Sequence, residues 1–473
     1  MRNQYRQAQQ ERYINYKIDH QYQYGFKDKF KPLYSTGRGL NEHIVREISA
    51  HKHEPQWMLA IRLKAYRIYK KLPMPDFGPD LSSLDLSQIK YFQESADRPS
   101  RSWDDVPKTI KRTFSKIGVP QAERKYLAGA AAQYESDAVY ENLKSEFRKL
   151  GIIFMDTDSA LKKFPKLIKE YFGHLVSPYC NKFAALNTAV WSGGTFLYVP
   201  KGVHAKVPLQ AFFRINAGNT GQFERTLIIV DQDASVNYVE GCTAPNYSAD
   251  SLHAAIVEVF VKKNAFCRYT TIQNWSDNVY SLETKRASAG ENATMEWVDG
   301  NLGSEKTMKY PSVWLNGEHA HGLMLSIAFA RHGVYQDTGS IMKHNAPHTS
   351  SNVVSKSICK DGGVCNYRGF IKMGKRSHDC KSHIECDTII MDEDSNSDTI
   401  PQNIISNGSS SLEHEARVSK ISADDLYYLM SRGLTESQAT KMIVMGFIEP
   451  FSRRLPMQFA VELNRLIDLQ MSD

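Results

Sequence analysis

The alternation of apolar and polar positions changes rhythm repeatedly along this chain. The first thirty or so residues have none: they are rich in Tyr, Gln, Lys and Arg with few aliphatic anchors, and residues 1–36 form a polar arm assigned no structure. From Asn41 the apolar residues recur at helical spacing. Asn41 can cap a segment reaching Ile48, and Pro55 suits the first turn of a second helix through Trp57, Ile61 and Tyr69, which Pro73 and Pro75 stop. A further helix-rich stretch is predicted from Trp103 to Lys149, including the Ala-rich Leu127–Ala132 segment, where helix propensity is high. Residues 37–150 are thus expected to be an N-terminal helical region.

From 151 to 415 short runs rich in Val, Ile, Thr, Phe and Tyr replace that periodicity and predict a β core. Its corners repeat: Asp233-Ala234, Asn264-Ala265, Asn292-Ala293 and His319-Ala320 are separated by 31, 28 and 27 residues. Coils of this length, with short strands between polar corners, predict a stacked β-solenoid, although a sandwich also places short strands at regular intervals. Residues 416–473 return to helical spacing. Ser422 and Thr435 each open a capping sequence, Gly433 and Gly446 are expected to stop helices, and Pro450 and Pro456 to break the next connection. A last helix carries Phe459, Val461, Leu463, Leu466 and Ile467, while Tyr427, Tyr428, Met430, Met442 and Met445 offer a docking face.

Composition narrows the classes. The net charge of +7 is spread over 59 basic and 52 acidic residues without a Lys/Arg block, so no nucleic-acid partner is implied. No run approaches membrane-spanning length and the N-terminus lacks the apolar core of a signal peptide, so a soluble, cytoplasmic protein without a membrane partner is expected. The seven cysteines form an odd, scattered set, which fits reduced thiols better than a disulfide framework. No P-loop sequence is present, so ATP binding in such a loop is not expected.

The chemistry concentrates near residues 386–415. Ser411-Leu412-Glu413-His414-Glu415-Ala416 follows Cys386 by about one coil, gathering a thiol, an imidazole and carboxylates, a mixed set suited to iron, zinc or copper. Glu-His-Glu on a polar loop is equally an ordinary solvated stretch, and a lone Cys is equally a small core residue. Cys380, near His378, His383 and Cys386, raises a local zinc site as a further reading, although the standard ligand spacing is missing.

From about Gly37 to the C-terminus the chain resembles the SufB family, scaffold subunits of the SUF iron-sulfur cluster assembly machinery. The resemblance is carried by Lys182–Asn187, Gly221–Thr226, the Val239–Pro245 motif VEGCTAP, Gln273–Trp275, Thr284–Arg286 and Ser411–Ala416. It implies a right-handed parallel β-helix core flanked by N-terminal and C-terminal α-helical regions, the latter gripping the ATPase SufC. It also implies pairing with the paralogue SufD or a second SufB copy, and sulfur delivery by a cysteine desulfurase with its sulfurtransferase. Cys242 falls on the family's sulfur-accepting cysteine, and Arg214, Asn216, Gln273, Trp275 and Lys285 on its sulfur-transfer tunnel. Cys386, Glu413, His414 and Glu415 fall on the site of the nascent cluster.

The expected function is therefore that of a non-enzymatic scaffold building a transient iron-sulfur cluster, 4Fe-4S or 2Fe-2S, with ATP hydrolysis supplied by SufC. Some family complexes carry a reduced flavin, but no dinucleotide fingerprint supports one here. The chain departs from the family pattern in having no cysteine before Cys180 and in its cysteines at 365 and 380. Two rivals are a purely structural adaptor and, against the ligand set, a β-helical enzyme acting on polysaccharides.

Overall fold

The computed structural model describes residues 32–95, 99–117, 127–215, 218–244, 250–455 and 457–472. The polar arm as far as residue 31, Asn216 and Pro456 lie outside these described residues. The fold is mainly β: a parallel solenoid of about eight turns with helices toward both ends of the chain.

From Thr195 onward successive coils add strands to a ten-stranded and a twelve-stranded sheet, each pairing in parallel with the coil that follows, whereas Gly129–Tyr134 with Asp137–Leu143 and Ile153–Asp156 with Thr195–Val199 pair antiparallel at the start of the sheets. Tyr269 pairs with Trp297, Trp297 with Met324, Met324 with Val353 and Val353 with Ile384. Because strand side chains alternate between faces, this register stacks like positions into columns along the solenoid. The corners explain the sequence period. Asp233, Asn264, Asn292 and His319, and then His348 one coil on, all have φ between 53° and 59°, where short polar side chains are tolerated best. Their side chains also bond rung to rung: Asn264 Nδ2 donates to Asp233 Oδ1 (2.8 Å), and Asn292 Nδ2 to Asn264 Oδ1 (3.2 Å).

Helices cover the outer faces. Glu42–His51, capped by the Asn41 side chain, packs with Gln56–Lys71 and Lys182–Val190 around Phe223, Leu252, Tyr280 and Leu282. At the other end of the chain, Val444, Ile448, Phe451, Leu463 and Ile467 lie on Leu325, Ile327 and Phe329 of the ten-stranded sheet. The Ser422 cap and the Thr435–Gln438 capping box form as expected, and Gly433, at φ 95°, ends its helix.

Three sequence expectations are corrected. The Ala-rich segment is a strand, Gly129–Tyr134, between Asp137–Leu143 and Leu209–Arg214. Its small side chains suit close packing: a Cβ on Gly129 would stand 2.7 Å from the Asn142 carbonyl oxygen, so tertiary fit overrides helix propensity. Gly446 and Pro450 both lie inside one helix, Glu436–Ser452, where the glycine supplies the carbonyl that the proline cannot bond. Helices Thr157–Lys163, Pro165–Tyr171 and Lys182–Val190 occur in the stretch expected to be strands. The last is buried from Phe183 to Val190, Asn187 and Thr188 included, and a helix buried all round shows no amphipathic rhythm.

The solenoid ends on strands Thr399–Ile405 and Ser411–Lys420, the terminal members of the two sheets. Both are largely exposed, Ile400, Ile404, Ile405 and Val418 included.

Candidate functional site

Cys242 sits near the end of strand Ser235–Thr243, fully buried with its side chain in the solenoid interior. Its register partner one coil on is Gln273. Around it lies a buried ionic network. Lys285 Nζ donates to Thr271 Oγ1 (2.8 Å) and lies 3.2 Å from Glu283 Oε2, and the Gln273 amide donates to Glu283. His253 bridges Glu224 (2.7 Å) and Glu283 (3.5 Å), and its ring packs 4.7 Å from that of Trp275. Lys309 reaches Asp299 at 3.3 Å from the opposite sheet. Such charges are tolerated in a dry interior only because they pair.

The electrostatics follow from the pairing. Burial works against a positive His253, but Glu224 and Glu283 outweigh it and raise its pKa to about 10. Burial pushes the Cys242 thiol well up, and Glu240, Glu224 and Glu283 push further, with Lys285 opposing. In this state Cys242 is a protonated thiol.

The second cysteine lies toward the far end. Cys386, on Lys381–Ile390, is 4% exposed and faces inward, and its Sγ is 3.8 Å from His414 Nε2 on the last strand. Burial raises its thiol to about 12, opposed by a hydrogen bond with Tyr367, whose hydroxyl also meets Ser340 Oγ at 2.7 Å. Glu413 and Glu415 alternate to the outward face of the same strand. Glu413 lies 3.3 Å from His383 and Glu415 3.6 Å from Arg417, with side chains 78% and 58% exposed. The four residues expected around the nascent cluster thus divide: Cys386 and His414 meet, while the two carboxylates face the opposite side.

Register connects the two cysteines. Starting from Glu240, two residues before Cys242, the inward column runs Thr271, Asp299, Ser326, Ser355 and Cys386. Every member is polar or a thiol, and Ser326 donates to Ser355 at 3.1 Å. At about 4.8 Å per rung this file is roughly 24 Å long. The opposite wall, in the other sheet, runs Glu283, Lys309, Thr338 and Tyr367, and ends on the tyrosine that reaches Cys386. Apart from Glu240, which lies in the VEGCTAP motif, none of Thr271, Asp299, Ser326, Ser355, Lys309 and Tyr367 stands out in the sequence. Their signal is inward parity one coil apart, which has no meaning without the register.

Of the tunnel residues expected from the sequence, Gln273, Trp275 and Lys285 gather near Cys242. Arg214 is buried but alternates with Phe213 of the core, and bonds Thr243 at 3.1 Å on the face away from Cys242. The zinc reading for Cys380 fails on geometry. Its inward thiol hydrogen-bonds with the Ser377 and Ala346 carbonyls, whereas His383 faces outward, and among the described residues no three His, Cys, Asp or Glu side chains converge to hold a metal. Among the described residues no helix is long and apolar enough to cross a membrane.

Known proteins resemble this chain along most of its length. Residues 213–447 match the family described as "SUF system FeS cluster assembly, SufBD core domain", and residues 125–211 the "SufBD protein N-terminal region". The chain is 58% identical over 451 residues to the iron-sulfur cluster assembly protein SufB of Bacillus subtilis, covering 95% of this chain and 97% of that protein. It is 59% identical over 450 residues to an iron-sulfur cluster assembly SufBD family protein of Staphylococcus epidermidis, with the same coverage.

Proposed function

Since the chain belongs to the SufBD family of SUF-system iron-sulfur cluster assembly proteins, we propose that it is the scaffold on which sulfur and iron are first combined. Cys242 accepts sulfane sulfur from a cysteine desulfurase acting with its sulfurtransferase. The sulfur passes along the polar interior to Cys386, where it meets iron as the nascent cluster, the cargo of the machinery. Conversion of sulfane sulfur to sulfide consumes an electron pair that a partner must bring, and a reduced flavin is one such source.

The observation that carries this reading is the file from Glu240 to Cys386. Buried polar columns are costly in a solenoid that could be lined by Val and Ile, so a route for a polar atom explains them better than packing does. The half-site at Cys386 supports a partner. One thiolate and one imidazole are too few ligands for a cluster, and the exposed strand edges beside them offer a surface for SufD or a second copy to complete it. A mixed ligand set also holds a cluster loosely enough to hand it on. Tyr427, at 77% exposure, and Tyr428, at 56%, support docking of the SufC ATPase on the C-terminal helices. Movement driven by that ATPase would uncover Cys386.

The test is iron and acid-labile sulfide per chain, with the visible spectrum, on protein purified anaerobically with SufC. Wild type is expected to carry both and Cys386→Ser to lose them. Absence of both from wild type, even after reconstitution, overturns the scaffold reading in favour of a structural adaptor.

A further inference from the structure

Cys242 as sulfur acceptor meets a chemical obstacle, and the role of its neighbour Glu240 rests on that acceptor reading. Sulfane transfer needs a thiolate, yet burial and the surrounding carboxylates hold Cys242 as the thiol. A proton must therefore leave Sγ as attack occurs, to an acceptor already within reach.

Glu240 occupies that place. It lies two residues before Cys242 on the same strand with its side chain on the same inward face, and Cys242 Sγ donates to its Oε1 at 3.8 Å. Its other oxygen accepts the Tyr269 hydroxyl from the next coil. No solvent reaches either group, since both are about 1% exposed or less. The charges facing Glu240 are Lys285 and Glu283 from strand Val279–Ala289 and Glu224 from the segment before strand Arg225–Val230. Burial raises the carboxyl most, Lys285 and the Tyr269 hydrogen bond lower it, and Glu224 and Glu283 raise it, leaving a pKa of about 7. A base is most effective when it titrates near the working pH.

We propose that Glu240 is the general base that removes the Cys242 thiol proton as the sulfur attacks the outer sulfur of a donor persulfide. An S–S bond forms between Cys242 Sγ and the sulfane sulfur, and the donor's own S–S bond breaks. The bonding pair departs with the donor thiolate, which recovers its proton from protonated Glu240. Cys242 ends as a persulfide, the donor as a thiol, and no electrons are gained or lost overall. Because Cys242 is enclosed, the step takes place when partner binding has opened the interior to the donor.

The experiment uses the full chain in its complex with SufC and the partner scaffold subunit. A desulfurase–sulfurtransferase pair charged with isotopically labelled cysteine is the donor, and labelled persulfide on the Cys242 peptide is followed by mass spectrometry against pH. Wild-type transfer is expected to rise with pH as Glu240 loses its proton and then level off, with the limb at or below about 7 because opening the interior relieves the burial that raises the carboxyl. Glu240→Gln should be slower by about 10²-fold or more at neutral pH and lose that limb. Tyr269→Phe removes a hydrogen bond that favours the carboxylate, so it should move the limb to higher pH and keep the plateau. A Glu240→Gln protein as fast as wild type with the same limb overturns the proposal. If that variant does not fold, an unmoved limb in Tyr269→Phe overturns it instead. A wild type that never takes label at Cys242 overturns the acceptor reading itself, a result distinct from both.

Discussion

Cys386 and His414 face one another across neighbouring strands, Sγ and Nε2 3.8 Å apart, while Glu415, one residue past the histidine, turns its carboxylate to the other side of the sheet. Register decides this: Ile384 pairs with His414 and Glu385 with Glu415, so imidazole and carboxylate belong to opposite faces. A role for both groups in holding one cluster requires the last strand to twist or a partner chain to bring the faces together.

Substitutions on this strand should therefore separate. Glu415→Ala is expected to leave the alkylation rate of Cys386 in the isolated chain unchanged while lowering iron and sulfide in the complex. His414→Ala, which removes the imidazole 3.8 Å from the thiol, should alter both. Timed thiol labelling alongside metal analysis tests the pair, and a Glu415→Ala effect on the isolated chain would contradict the geometry.

Thiol accessibility should order the cysteines. Cys180 is exposed, with its Sγ 3.4 Å from the Arg286 guanidinium, whereas Cys242 is sealed. A thiol held at about 12, as Cys386 is, presents roughly 10³-fold less thiolate at neutral pH than a free cysteine. Labelling of the native chain with a mild alkylating reagent, located by peptide mass, should find Cys180 first and Cys386 and Cys242 far later.

The ion pair of Arg225 and Glu258 should support the N-terminal side of the core. Both side chains are fully buried and meet at 2.7 Å, and Glu258 also accepts the backbone N–H groups of Gly173, Leu175 and Val176. Glu258→Ala removes the counter-charge of the buried guanidinium and strands three backbone donors, and should cost on the order of 3–5 kcal/mol. A lower denaturant midpoint for this variant, compared with an exposed control such as Glu413→Ala, is the check.

Two buried histidines should give opposite pH signatures. His344 is buried between Thr349 and Ser351, and burial lowers its pKa to about 4. The unfolded chain binds that proton more tightly, so this contribution, roughly 3 kcal/mol, is present above about 6.5 and lost as pH falls toward 4. His253, held at about 10 by Glu224 and Glu283, contributes fully below about 6.5 and is lost as pH rises through 10. His344→Asn should flatten the acid side of the stability profile and His253→Gln the alkaline side, as followed by thermal midpoints.

The proposed docking of SufC should depend on residues that do nothing for the fold. Tyr427 and Tyr428 are exposed on the helix Ala423–Ser431, none of whose residues is buried. Replacing both with Ser should abolish co-purification of SufC with no change in the thermal midpoint beyond about 0.5 kcal/mol of stability.

The sequence displayed the solenoid through its corners, because a left-handed backbone residue leaves an Asp, Asn or His once per coil. It displayed the helix starts through the Asn41, Ser422 and Thr435 caps. It concealed the interior. On Val279–Ala289, Glu283 and Lys285 point inward while Thr284 and Arg286 point outward, and a helical layer covers the outer face, so polarity alone does not reveal which face is the lumen. Cys242 was legible through its VEGCTAP motif and Cys386 through the wider family resemblance, whereas the part played by Glu240 and Tyr367 became visible only once register had aligned the coils. The split of Glu413 and Glu415 from Cys386 was already encoded in parity, but parity is silent until the strand's partner is known.

The two bare strands that close the solenoid also limit how copies can associate. A head-to-tail stack would hide one edge and present another on every added copy, which is the geometry of an endless filament. A face-to-face pairing hides both partners' edges at once and stops at two. Glu413, Glu415, Arg417 and Lys420 along the last strand place charge where indiscriminate strand addition would begin, so only a surface of matching charge can settle there.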